Sequence, residues 1–317
     1  MIDSLENKKT RHAVFYRPDI DGLRAISVVA VMLYHAEFQL FSGGFIGVDV
    51  FFVISGYLIT QMILGDFAKG SFSLSHFYER RVRRILPALL VMLSATVPLA
   101  YVFLSADLLA DYSASLLGAT WFSSNFVFWS EAGYFDRASE FKPLLHTWSL
   151  GVEEQFYLFF PAILWLLYKF NWLIPGLGVA IVISFFMAQV GLSKGAEWPF
   201  YMLVSRAWEL GVGAMLAVVL THSRMAKVRV KGHWAELLAL SGLLAIIVPV
   251  FIFSELTATP GALLLVPTLG ACLLIWSTPA TNYLRRLLSL KWLVGVGLIS
   301  YSLYLWHQPV LVFGRIV

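Results

Sequence analysis

Arg24 and His35 lie eleven residues apart in DGLRAISVVAVMLYH, residues 21 to 35, and most of what separates them is apolar. At about 100° per residue, eleven positions make three turns and about 20° more, so on a helix the two side chains share one stripe, about 16 Å apart along the axis. A guanidinium at one end suits forked hydrogen bonding to phosphate, and an imidazole at the other exchanges protons near neutral pH. A blander account also fits, with Arg24 reaching lipid headgroups and His35 packing between helices. Ionisable groups deep in an apolar span are costly and usually face a cavity or a partner, which favours function for His35.

The segment GFIGVDVFFVISGYLIT, residues 44 to 60, offers a partner. If the two segments pack as antiparallel helices, Asp49 reaches a depth similar to that of His35. A carboxylate there would fix the imidazole tautomer and stabilise the imidazolium as it takes a proton from a hydroxyl. A structural hydrogen bond fits the same spacing. Gly43, Gly44, Gly47 and Gly56 permit tight turns and close helix approach. Farther on, HFYERRVRRILPALL holds Arg80, Arg81, Arg83 and Arg84. Such a cluster can grip pyrophosphate and 3′-phosphate groups by forked bonds, or set topology and touch anionic lipid. In SRAWELGVG, 205 to 213, Arg206 and Glu209 share a helical face, which predicts a structural ion pair. His307, in YLWHQP, either lines a cavity or packs, and Tyr301, Tyr304 and Trp306 are expected in helix packing.

These side chains need a scaffold, and composition names its class. The 317 residues are 59% hydrophobic and only 13% charged, with a mean hydropathy of +0.76. Soluble domains run to roughly 25% charged residues, so this is an all-α, polytopic transmembrane helix bundle. A crossing takes about 20 apolar residues. Nine candidate spans follow, at about 23–41, 45–64, 85–104, 152–169, 173–191, 200–220, 236–253, 260–277 and 296–315. Basic residues collect on cytoplasmic loops. Lys8, Lys9, Arg11 and Arg17 therefore place the N-terminus inside, and even-numbered crossings return Arg80 to Arg84, Lys169, the loop at 223 to 233, Arg285, Arg286 and Lys291 to the same side. Reading LGATWFSSNFVFW, 117 to 129, as a crossing would reverse every later helix, so 105 to 151 is expected outside, with short buried or re-entrant helices. Cys272 has no partner for a disulfide. No P-loop, zinc spacing or Rossmann glycine pattern appears, and neither a metal nor a nucleic-acid partner is expected.

Five motifs in order resemble the acyltransferase 3 family over nearly the whole chain: Arg24 with His35, FFVISG, RRVRRILP, LLHTWSLGVEEQFYLFFP at 144 to 161, and ISYSLYLWHQP at 299 to 309. Bacterial O-antigen acetylases are similar. The resemblance implies a multi-pass enzyme of the bacterial inner membrane. Such an enzyme takes acetyl from cytoplasmic acetyl-coenzyme A, a co-substrate, and delivers it to a hydroxyl of an extracytoplasmic glycan or lipid-linked glycan such as lipopolysaccharide O-antigen. By motif position, Arg24 and His35 match the family's essential pair, and Arg80, Arg81 and Arg84 its basic loop. Trp148, Ser149, Glu153 and Glu154 match its WSLxxEEQFY element, which begins a span at the external side, so Glu153 and Glu154 are expected near the outer interface, bonding sugar hydroxyls of the acceptor or capping the helix start. Family members usually continue with a tenth helix and often an external hydrolase-like domain, so residues 1–317 are expected to be a C-terminally truncated membrane domain.

The expected mechanism has Arg24, Arg80, Arg81 and Arg84 holding the nucleotide of acetyl-coenzyme A. The pantetheine arm would then run along the stripe to His35, with Asp49 orienting that base. An acetyl-histidine intermediate is the chemical alternative. A transporter or flippase for an anionic or glycolipid substrate would also need buried charge and a cavity, and a scaffold for glycan assembly would need no catalytic histidine.

Overall fold

A computed structural model describes residues 16–131, 141–222 and 230–316. Lys8, Lys9 and Arg11, the loop residues Asp136, Arg137 and Glu140, and residues 223–229 of the basic loop lie outside them. Among the described residues all regular structure is helical. The helices are α1 (Pro18–His35), α2 (Gly47–Lys69), α3 (Leu74–Phe103), α4 (Ala106–Thr120), α5 (Ser124–Glu131), α6 (Thr147–Lys169) and α7 (Leu173–Ser193). There follow α8 (Trp198–Tyr201), α9 (Leu203–His222), α10 (His233–Ile252), α11 (Leu265–Ser277), α12 (Tyr283–Leu288), α13 (Lys291–Leu298) and α14 (Ser300–Ile316).

Seven stretches are long and apolar enough to cross a membrane: Gly44–Lys69, Leu74–Phe103, Thr147–Lys169, Leu173–Ser193, Leu203–Thr221, His233–Ile252 and Ala262–Ala280. They account for seven of the nine expected crossings. The other two correspond to α1 and α14, of 18 and 17 residues. α1 includes Asp19, Asp21 and Arg24 in its first half, so composition alone understates it. Apolar side chains such as Val182, Ile183 and Phe186 on α7 stay exposed, as a lipid-facing surface requires. The chain is a polytopic helical membrane protein.

Local signals explain where the elements differ from the expected spans. α1 starts five residues before the expected span, with Pro18 in its first turn and Asp19 and Asp21 beside the positive end of its dipole. It stops at His35, just before Glu37 takes a left-handed conformation (φ 62°). α3 begins at Leu74, capped by the Ser73 hydroxyl accepting from the His76 N–H, so the arginine cluster is helical and not a loop. The stretch 117 to 129 is broken between α4 and α5, with Phe122 at φ 54°, and does not form a continuous crossing.

α2 is central. It packs backbone against backbone on α9: a Cβ on Gly56 would stand 1.9 Å from the Leu210 carbonyl oxygen, and one on Gly213 would stand 2.0 Å from that of Val53. Only glycine allows this approach from either side. At the other flank Gly44 and Gly47 abut the Ala30 and Ser27 carbonyls of α1. These contacts hold Asp49, Ser55 and the α1 stripe at fixed relative depth.

Candidate active site

Two cavities are built around α2 and α14, and Val48 and Tyr304 line both. The first encloses about 440 Å³ and is lined by Arg24, Arg80, Arg81 and Arg84 together with Ser55, Ser149, Glu153, Glu154, Tyr157 and Tyr301. The second encloses about 490 Å³ and is lined by His35, Asp49, His146, Arg206 and Lys142, by an aromatic wall of Trp148, Phe200 and Tyr201, and by Glu131, Glu197 and Glu255. Both volumes suit a small organic ligand.

In the arginine cavity, the spacing of Arg80, Arg81 and Arg84 on α3 brings all three to the lining, Arg84 at an exposed position, whereas Arg83 points away, 79% exposed and paired with Glu79 at 2.7 Å. Arg81 donates to Glu154 at 2.6 Å and stacks over the Tyr157 ring at 3.8 Å. Arg80 pairs with Asp66 at 2.9 Å, and Arg24 approaches Asp21 at 3.5 Å. Arg84 makes no salt bridge among the described residues. Glu153 accepts from the Tyr157 hydroxyl at 2.5 Å and from the Ser55 hydroxyl. The four expected phosphate-binding arginines are thus brought together.

One expectation about α6 and one about α14 are corrected. Glu153, Glu154 and Ser149 do not line the cavity of His35; they line the arginine cavity, and of the four residues only Trp148 lines the other. Along α6, Ser149, Glu153 and Tyr157 fall at four-residue steps on one face, and Trp148 falls on the next. Tyr301 and Tyr304 are cavity residues as well as packing residues, while Trp306 packs in the core as expected. The Tyr304 hydroxyl lies 2.6 Å from Ser149 Oγ and 3.0 Å from the His146 carbonyl oxygen, which pins it between the cavities.

The expected pairing of Asp49 with His35 is also corrected. Asp49 binds Arg206 at 2.8 Å, and Arg206 lies 3.2 Å from Glu209, with all three at or below 2% exposure. A guanidinium buried this deeply needs carboxylates, and α9 presents it directly to α2 where their glycines meet. The ion pair of Arg206 with Glu209 is as expected. Phe52, Trp148 and Phe200 surround the guanidinium, with centroids 5.4, 5.5 and 5.8 Å away.

His35 instead contacts its own helix and α14. Its Nδ1 lies 2.9 Å from the Val31 carbonyl oxygen and 3.3 Å from Nε2 of His307. His146, at 1% exposure, packs its ring 5.2 Å from that of His307. Sequence reasoning left His307 open and passed over His146, which stands two positions before Trp148 in LLHTWSL. Among the described residues no group of three or more His, Cys, Asp or Glu is arranged to hold a metal ion.

The sequence that builds these two cavities matches a known family. A family profile described as an acyltransferase domain, of the acyltransferase 3 type, covers residues 17–315. The chain belongs to this family and is a membrane acyltransferase domain. It is 34% identical over 320 residues to a peptidoglycan O-acetyltransferase of Listeria monocytogenes, covering 96% of this chain and 51% of that protein. A putative peptidoglycan O-acetyltransferase of Bacillus subtilis is 32% identical over 317 residues, covering 96% and 50%. A putative O-acetyltransferase of Staphylococcus aureus is 32% identical over 311 residues, covering 94% and 51%. The chain spans about half the length of these relatives. No solved structure matches it.

Proposed function

We propose that the protein moves an acetyl group from acetyl-coenzyme A, bound in the arginine cavity, to a hydroxyl of a cell-envelope glycan bound in the histidine cavity. The observation that carries this reading is that Arg24 and His35, on one helix, open into two cavities sharing the wall formed by Val48 and Tyr304. Arg24, Arg80, Arg81 and Arg84 would grip the nucleotide phosphates, Arg84 with no salt bridge to give up. The pantetheine arm would bring the thioester to that wall. A sugar ring would lie on Trp148, Phe200 and Tyr201, with Glu131, Glu197 and Glu255 accepting from its hydroxyls.

The chemistry follows from His35. Nε2 takes the proton of the acceptor hydroxyl as its oxygen attacks the acetyl carbonyl carbon. The carbon–sulfur bond then breaks, and the proton on His35 passes to the leaving thiolate. Peptidoglycan is the first acceptor to test, because two relatives are named for it; O-antigen, suggested by the motif resemblance, is the second.

The orientation is part of the proposal. Lys69, Lys169, Arg285 and Arg286 end or flank helices at the Arg24 end of the bundle, which supports a cytoplasmic position for that end, with the histidine cavity facing outward across a bacterial inner membrane. The test is reconstitution of the full-length protein in vesicles with labelled acetyl-coenzyme A and peptidoglycan or O-antigen oligosaccharide. Acetyl ester on either glycan supports the reading, and flux of an intact glycolipid without ester formation overturns it.

A further inference from the structure

His307 occupies the place beside His35 that Asp49 was expected to fill. Its Nδ1 lies 2.6 Å from the Tyr304 carbonyl oxygen, and a carbonyl only accepts, so the His307 proton is on Nδ1 and its Nε2 presents a lone pair. The same reasoning applies to His35: Nδ1, 2.9 Å from the Val31 carbonyl oxygen, carries the proton, and Nε2 is the bare nitrogen. The 3.3 Å contact between the rings then has one consistent polarity, with His35 Nδ1–H shared between Val31 and the lone pair on His307 Nε2.

Val31 belongs to the helix of His35 and fixes the tautomer alone. His307, on α14, ties the ring to a second helix and is itself braced by His146, whose ring lies 5.2 Å away. When His35 accepts a proton at Nε2, its Nδ1–H becomes a stronger donor, and a neutral imidazole acceptor in a dry site gains with it. We infer that His307 is a positioning residue that aims His35 Nε2 at the acceptor hydroxyl and accepts from His35 Nδ1–H as charge develops on the ring. The inference rests on His35 acting as the base in the reading above.

The test compares His307→Leu with His307→Gln in the full-length protein, using acetyl-coenzyme A and peptidoglycan oligosaccharide. Leu removes the acceptor atom, whereas Gln can place its amide oxygen near the position of Nε2. The expected result is a fall in kcat of roughly tenfold or more for Leu. KM for acetyl-coenzyme A should stay within about twofold, Tm should not change, and Gln should recover much of kcat. Wild-type kcat in the Leu variant overturns the inference, as does an equal loss in both variants that tracks Tm. ¹⁵N spectra of the wild-type histidines test the pair even if the variants fold poorly: Nδ1–H tautomers on both rings support it, and Nε2–H on His307 overturns it. Absence of acetyl transfer by the wild type would count against the proposed function instead and leave the tautomer test standing.

Discussion

Arg24 and His35 lie on the same helix and open into different cavities, and the tyrosine common to both, Tyr304, is held by Ser149 and the backbone of His146. On the proposed function, binding and chemistry are thereby separated in space, so substitutions at the two ends of the stripe should have different signatures.

At the histidine end, His35→Gln should bind acetyl-coenzyme A with wild-type affinity and keep its Tm while losing roughly 10²- to 10⁴-fold in transfer rate, since an amide is no base near neutral pH. Radiolabel transfer, donor titration and a melting curve on one preparation check this. Near wild-type transfer would remove His35 from the base role.

At the arginine end, Arg84→Ala should weaken acetyl-coenzyme A binding by about ten- to a hundredfold, the equivalent of one charge-assisted bond of about 1.5–3 kcal/mol, and leave Tm alone. Arg81→Ala should lower both, because it also leaves Glu154 without its 2.6 Å partner. Equal effects of the two on stability would contradict the assignment of Arg84 as the arginine without a salt bridge.

How much of this was legible beforehand depended on range. Hydropathy located the long apolar helices, because each is specified by residues within its own length. The arginine cluster was legible for the same reason, since Arg80, Arg81 and Arg84 are close enough that any helix brings them to neighbouring positions. Asp49 was misassigned because matched depth fixes a residue's height along the bundle and not the direction it faces, and its partner Arg206 lies 157 positions away. Glu153 and Glu154 were expected near the outer interface because hydropathy started the span at about 152; α6 starts at Thr147, which puts both about two turns into the helix. Tyr304 and His307 gave only a periodic aromatic pattern, which fits packing as well as it fits a cavity wall.

The buried trio predicts an asymmetry in stability. Arg206→Leu leaves Asp49 and Glu209 uncompensated and should destabilise by about 3–5 kcal/mol. Asp49→Asn keeps a carboxylate on Arg206 through Glu209 and should cost less. Unfolding in detergent monitored by tryptophan fluorescence ranks the two, and an equal or reversed order would mean that Asp49 carries the pairing alone.

Topology can be checked on exposed loop positions at the two ends of the bundle. In a Cys272→Ser background, Leu256→Cys, next to Glu255 of the histidine cavity, should react with an impermeant thiol reagent added outside intact cells, and Ser71→Cys, just past α2, should not. The reverse labelling would invert the orientation and place the arginine cavity outside.

The link between Asp49 and Arg206 also sets a timetable for biosynthesis. Asp49 leaves the ribosome 157 residues ahead of Arg206, an interval of roughly 8–30 s at about 5–20 residues per second. Throughout that time α2 must sit in or beside the bilayer with a lone acidic group in its first turn, where the penalty is smaller than the roughly 2.5–3.5 kcal/mol of a mid-span carboxylate and is one its apolar residues can outweigh. α9 brings its cation already paired with Glu209, 3.2 Å away on the same helix, so α2 is the helix left waiting. Of two helices made far apart in time, the earlier is therefore the one left with an unpaired charge until the later arrives.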